Sequence, residues 1–163
     1  MVLGMSLATF TLVHVLISLV GIASGLIVMT RFVRNRALGL SNTIFLVTTI
    51  ATSVTGFLFP FNGFTPAHAV GVISLVILAL ALFALYVGNL IGPWRWIYVV
   101  TATAALYLNV FVAVVQAFQK IGPLHALAPT QSEPPFALAQ GAVLVLFVIA
   151  CIATLRRFRP PTA

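Results

Sequence analysis

The stretch ALGLSNTIFLVTTIATSVTGFLFPFNGFTPAHAVGVISLVILALALFALYVGNLIGPW, residues 37–94, runs for 58 residues without a lysine, arginine, aspartate or glutamate. Hydrocarbon about 30 Å thick is crossed by roughly 20 helical residues. Inside it, only helices and closed barrels satisfy every backbone polar group. The flanking sequence continues the pattern: Met1–Thr30, Trp96–Gln119 and Ile121–Leu155 add a single such residue, Glu133. The chain therefore reads as an integral membrane protein made of helices.

Composition agrees. Of 163 residues, 62% are hydrophobic and 6% charged, with mean hydropathy +1.21, against roughly 25% charged in soluble domains. One helical domain over residues 1–163 is the natural division. A net charge of +7 and a pI near 11.3 would suggest nucleic acid in a soluble protein. Here the arginines sit at the ends of apolar runs, as topology signals do, and no nucleic-acid partner is expected. Cys151 is the sole cysteine, which excludes an internal disulfide and a Cys-based metal pair. The N-terminus has no basic region before its first apolar run, so it reads as a retained span, not a signal peptide.

Breakers and charges divide the chain into five expected spans: residues 7–30, 38–59, 67–91, 97–118 and 137–155. Pro60, Asn62, Gly63 and Pro66 mark the turn between the second and third, and Gly92 and Pro93 close the third. With five spans, Arg31, Arg34, Arg36, Arg95, Arg156, Arg157 and Arg159 fall on one side, and Lys120 alone on the other. The positive-inside rule then gives N-terminus out and C-terminus in. Trp94 and Trp96, on either side of Arg95, suit the headgroup level. The expected fold is an all-α polytopic bundle whose first partner is the lipid bilayer.

Helical spacing places the polar residues. His14, Ser18, Gly21 and Gly25 share one face of the first span. Gly21 and Gly25 form a GxxxG pair that lets another helix approach, in this chain or in another. Thr48, Thr52 and Thr55 line the second span, although a threonine can bond its own i−4 carbonyl and need no ligand. His68 opens the third, Asn109, Gln116 and Lys120 lie near one face of the fourth, and Gln140 enters the fifth. At about 1.5 Å per residue, His14, Thr52 and Asn109 should lie roughly 10–14 Å inside the outer ends of their spans. Thr55, His68, Gln116 and Gln140 should lie roughly 3–6 Å inside. Such groups normally face a bundle interior and find partners. The expectation is a polar pocket open to the outer side.

Three readings of His14 and His68 stay open. They are hydrogen-bonded pocket residues, axial ligands of a b-type haem, or part of a metal site with His125 and Glu133, which lacks supporting local spacing. The segment QKIGPLHALAPTQSEPPF, residues 119–136, is either a cover over the pocket or a Pro-rich connection, with Glu133 placed to cap the last span. No nucleophile–base pair, phosphate loop or paired carboxylate exists, so enzymatic chemistry is not expected. The absence of intramembrane acids and of inverted repeats argues against an active transporter.

The stretches 45–68, 93–120 and 124–136, with HVLISLVGIASG in the first span, resemble a group of small proteobacterial inner-membrane proteins with no established activity. That resemblance implies a bacterial plasma membrane and one helical domain. The sequence thus favours a non-enzymatic accessory or ligand-binding protein using His14, His68, Asn109, Gln116, Gln140, Thr52 and Thr55. No cofactor is required by this reading. The alternatives are a bis-histidine haem b carrier and a structural subunit packing through Gly21 and Gly25, with a membrane-protein partner or a second copy.

Overall fold

A computed structural model describes residues 2–60, 63 and 66–159. Asn62, expected among the turn breakers, lies outside the described residues. The protein is all-α, with no strand among the described residues. Its helices are α1 (Leu7–Val33), α2 (Gly39–Gly56), α3 (Pro66–Tyr86), α4 (Pro93–Lys120), α5 (Gly122–Leu127) and α6 (Pro134–Arg157).

Local chemistry explains the boundaries. Ser6 starts α1 by accepting the Thr9 N–H at 3.1 Å. Pro93 and Pro134 stand in the first turns of α4 and α6, where a missing N–H costs nothing. The third expected span, residues 67–91, is longer than its helix, because α3 ends at Tyr86. Residues 87–92 turn back instead, with Asn89, Leu90 and Gly92 at positive φ. Gly88 permits this: a β-carbon there would lie 2.3 Å from Trp94 Cγ, so the indole rests on bare backbone. The other helices run a little past or short of the apolar stretches, since helix ends need not coincide with the last apolar residue.

Four helices, α1, α3, α4 and α6, are long and apolar enough to cross a membrane. The 18 residues of α2 are dense in Ser, Thr and Asn, and span about 27 Å at 1.5 Å per residue. The chain folds back and forth. α2 runs antiparallel to α1, with His14 opposite Thr55 and Gly25 opposite Phe45. α4 runs antiparallel to α1, pairing Gly21 with Asn109, Gly25 with Leu106 and Phe32 with Tyr98. α6 runs antiparallel to α4, through Gln140–Phe111, Tyr107–Phe147 and Arg95–Phe158. α4 packs against each of the other five helices and is the axis of the fold.

The arginines gather at one end. Arg31 donates to Ala37 O at 2.6 Å, and Arg95 donates to Leu155 O and Phe158 O at 3.2 and 2.5 Å. The Arg159 N–H donates to Asn35 Oδ1 at 2.6 Å. The dense core lies in this half: Val28, Phe32, Phe45, Leu78, Ala81, Tyr98, Val99, Ala105 and Phe158 are essentially sealed. Toward the other end, which carries His14 and His68, packing loosens; α4 is only half-buried from residue 107 to 117. The bundle is tight at its arginine end and looser where the polar residues sit.

Candidate functional site

The polar residues of α2 divide into two kinds. Thr48, Ser53 and Thr55 donate to their own helix, to Ile44 O, Thr49 O and Ala51 O at 2.6, 3.0 and 2.7 Å. Each needs no ligand. Thr49 is sealed and accepts from Asn109 Nδ2 of α4 at 3.2 Å. Thr52 belongs to neither kind. Its hydroxyl is shielded and has no hydrogen-bond partner among the described residues.

His14 stands two turns inside α1, and its Nδ1 lies 2.8 Å from Thr55 Oγ1. Thr55 has one proton, which it donates to Ala51 O. The ring therefore serves as the donor at Nδ1, which leaves Nε2 as an acceptor. Phe59 meets the imidazole edge-on at 5.2 Å and Phe10 at 4.9 Å.

His68 packs on a different ring, Phe57, at 5.9 Å. Phe57 also covers Gly71, where a β-carbon would approach within 2.9 Å. Both histidines thus adjoin the C-terminal turn of α2, through separate aromatic neighbours. Among the described residues no group of three or more His, Cys, Asp or Glu converges as a metal site would require.

Gln140 donates from Nε2 to Phe111 O at 3.2 Å, while its Oε1 is shielded and unpartnered. Gln116 is half-buried and makes no side-chain hydrogen bond among the described residues. The structure joins His14 to Thr55 and Asn109 to Thr49. Gln140 it places on the α6 side of α4. None of these polar residues lines the crevice against α1 and Ala150 or the concavity along the outer face of α6.

The glycine face looks inward on this chain. A β-carbon at Gly25 would meet Leu106 Cδ1 at 2.5 Å and Phe45 Cδ2 at 2.9 Å. At Gly21 it would meet Thr48 Oγ1 at 3.2 Å and Asn109 Nδ2 at 3.5 Å. The close approach is within the bundle. One polar pair escaped the sequence reading: the sealed Tyr98 hydroxyl donates to buried Asn42 Oδ1. Its trace was present, because Asn42 precedes Thr49 by seven residues and shares its face.

Glu133 occupies the position before α6 but does not cap it with its side chain. Pro134 and Pro135 offer no N–H, and the Phe136 N–H bonds the Glu133 carbonyl at 3.1 Å. The carboxylate turns back instead and accepts from Thr130 N and Ser132 N at 3.1 Å and from Thr130 Oγ1 at 2.9 Å. Desolvation pushes this carboxyl up, but those hydrogen bonds outweigh it and hold it below the usual value. Gln131, at positive φ, donates to Val115 O at 2.9 Å and fastens the segment to α4.

No family model, curated protein or solved structure matches the chain.

Proposed function

We propose that the chain is a non-enzymatic protein of a bacterial inner membrane with five spans, its N-terminus outside and its C-terminus inside. Its outer half binds a small neutral or weakly anionic ligand, or a lipid headgroup. α2 counts as the fifth span in this reading, because it lies antiparallel along α1 from Gly25–Phe45 to His14–Thr55, and α1 and α4 engage its Thr55 and Thr49. Arginine placement supplies the orientation.

One observation carries the binding assignment. Among the described residues the shielded oxygens Thr52 Oγ1 and Gln140 Oε1 lack partners, in the half of the bundle where His14 Nε2 and Gln116 also have none. Buried polar atoms are normally satisfied, and leaving one bare costs about 1–3 kcal/mol. A ligand supplying a donor or a hydroxyl removes that cost. His68, Thr55 and Asn109 are the further polar residues of that half, the last two already engaged with His14 and Thr49. Native mass spectrometry of gently solubilised wild type should show a retained small adduct. Thr52→Val with His14→Gln should lose it while folding normally. A wild type that carries no adduct, or a double variant that keeps it, contradicts the assignment.

Haem b held by His14 and His68 is the second reading. The bond from His14 Nδ1 to Thr55 favours it, since it fixes the ring and leaves Nε2 for iron. A Soret band with split α and β bands on reduction selects this reading; a colourless protein retains the first.

A further inference from the structure

We propose that the arginine end of α1 and α6 holds an anionic phospholipid, with an acyl chain in the crevice between the helices and its phosphate on Arg34. The crevice has a volume of about 240 Å³ and is lined by Met29, Thr30, Val33, Arg34 and Ala150. It is apolar apart from Arg34, because the Thr30 hydroxyl is engaged with Ile27 O at 2.7 Å. It opens to the surface, and in a multi-pass protein that surface meets lipid. The hydrocarbon region offers no water to fill an apolar crevice, so an acyl chain is its natural occupant.

Charge selects the headgroup. Phe32 against Phe158, with ring centroids 4.6 Å apart, and Asn35 against Arg159 pin the ends of α1 and α6 together. The C-terminal end of α6, with Arg156, Arg157 and Arg159, is thereby held at the same end of the bundle as Arg31, Arg34 and Arg36. The chain's one acid, Glu133, lies at the start of α6, the opposite end of that helix. The Arg34 side chain has no hydrogen-bond or ion-pair partner among the described residues. A guanidinium presents a planar fork that matches phosphate oxygens. Basic crevices between membrane helices bind anionic headgroups on the same grounds. The site does not depend on the histidine-end ligand; it rests on the multi-pass reading alone.

The test uses the full chain in detergent, titrated with phosphatidylglycerol or phosphatidylcholine of identical acyl chains and read by native mass spectrometry. Wild type should retain phosphatidylglycerol preferentially. Arg34→Gln should weaken that binding about fivefold, the worth of one basic residue at an anionic surface. Arg34→Lys should keep most of it, and Arg36→Gln should matter less than Arg34→Gln. Ala150→Phe should reduce binding of both lipids, with thermal unfolding used to show that it folds. Excess inorganic phosphate should not displace the lipid. The proposal is overturned by equal retention of the two lipids, by an Arg34→Gln variant that binds like wild type, or by displacement with phosphate alone. A crevice closed by a second copy, seen as a dimer indifferent to lipid, overturns it too.

Discussion

His14 Nδ1 and Thr55 Oγ1 lie 2.8 Å apart and tie the start of α1 to the end of α2. Because the Thr55 proton goes to Ala51 O, the imidazole is the donor in this pair. Nitrogen-15 shifts of selectively labelled histidine should show the Nδ1–H form of neutral His14. Thr55→Val should abolish that tautomer preference and destabilise the protein by about 1 kcal/mol, the net worth of one hydrogen bond. A wild-type ring protonated at Nε2 would contradict the assignment of Nε2 as the free acceptor.

The contact of Gly25 with Leu106 and Phe45 separates packing from polarity. Gly25→Leu places a whole side chain where even a β-carbon is 2.5 Å from a neighbour. Overpacking of this kind costs typically 1–3 kcal/mol. Gly21→Ala meets only hydroxyl and amide groups at 3.2 Å and beyond, so its cost should be smaller. Thermal unfolding in detergent should rank wild type above Gly21→Ala, and Gly21→Ala above Gly25→Leu. Equal stability of Gly25→Leu and wild type would contradict close packing of α1, α2 and α4 at this glycine.

Glu133 gives a pH dependence whose sign is fixed. Its carboxyl is held below its ordinary value of 4.5, so the folded turn favours the charged form. That contribution is complete above the unfolded value and is lost as pH falls through the folded one. The amide shifts of Thr130 and Ser132 should be flat near neutral pH and titrate together with a midpoint below 4.5. Glu133→Gln should remove the titration, since no other Asp or Glu is present. A midpoint above 4.5 would show that desolvation outweighs the three donors.

Much of the scaffold was legible because hydrocarbon imposes a length and a composition on any helix that crosses it. The breaks at Pro60–Pro66 and Gly92–Pro93, the gathering of arginines and the Gly21–Gly25 face all follow from local pattern. Helix ends were less legible: nothing in the apolar run 67–91 announces that Gly88 must accept Trp94, so the turn after Tyr86 was missed. The site was legible in its parts and not in its pairing. Spacing puts Thr52 and Thr55 near one face, but only the packed rotamers decide which hydroxyl bonds its own helix and which is left bare. Glu133 shows the same limit. Its cap position was readable, whereas its turn toward Thr130 depends on which N–H groups the two prolines remove.

In the proposed topology α2 crosses the membrane, so that the arginine end and the histidine end lie on opposite sides. Residues 37 and 126 are separated by α2, α3 and α4. Three crossings put them on opposite faces; if α2 does not cross, they share one. Cysteines replacing Ala37 and Ala126, each exposed, can be introduced singly in a Cys151→Ser background. They are then treated with a membrane-impermeant thiol reagent in intact cells whose inner membrane is accessible. Labelling of Ala126→Cys alone, with Ala37→Cys reacting only after permeabilisation, is the result expected of five spans with the histidine end outside. Labelling of both or of neither in intact cells reduces the spans to four. Labelling of Ala37→Cys alone inverts the orientation and moves the polar site to the inner face.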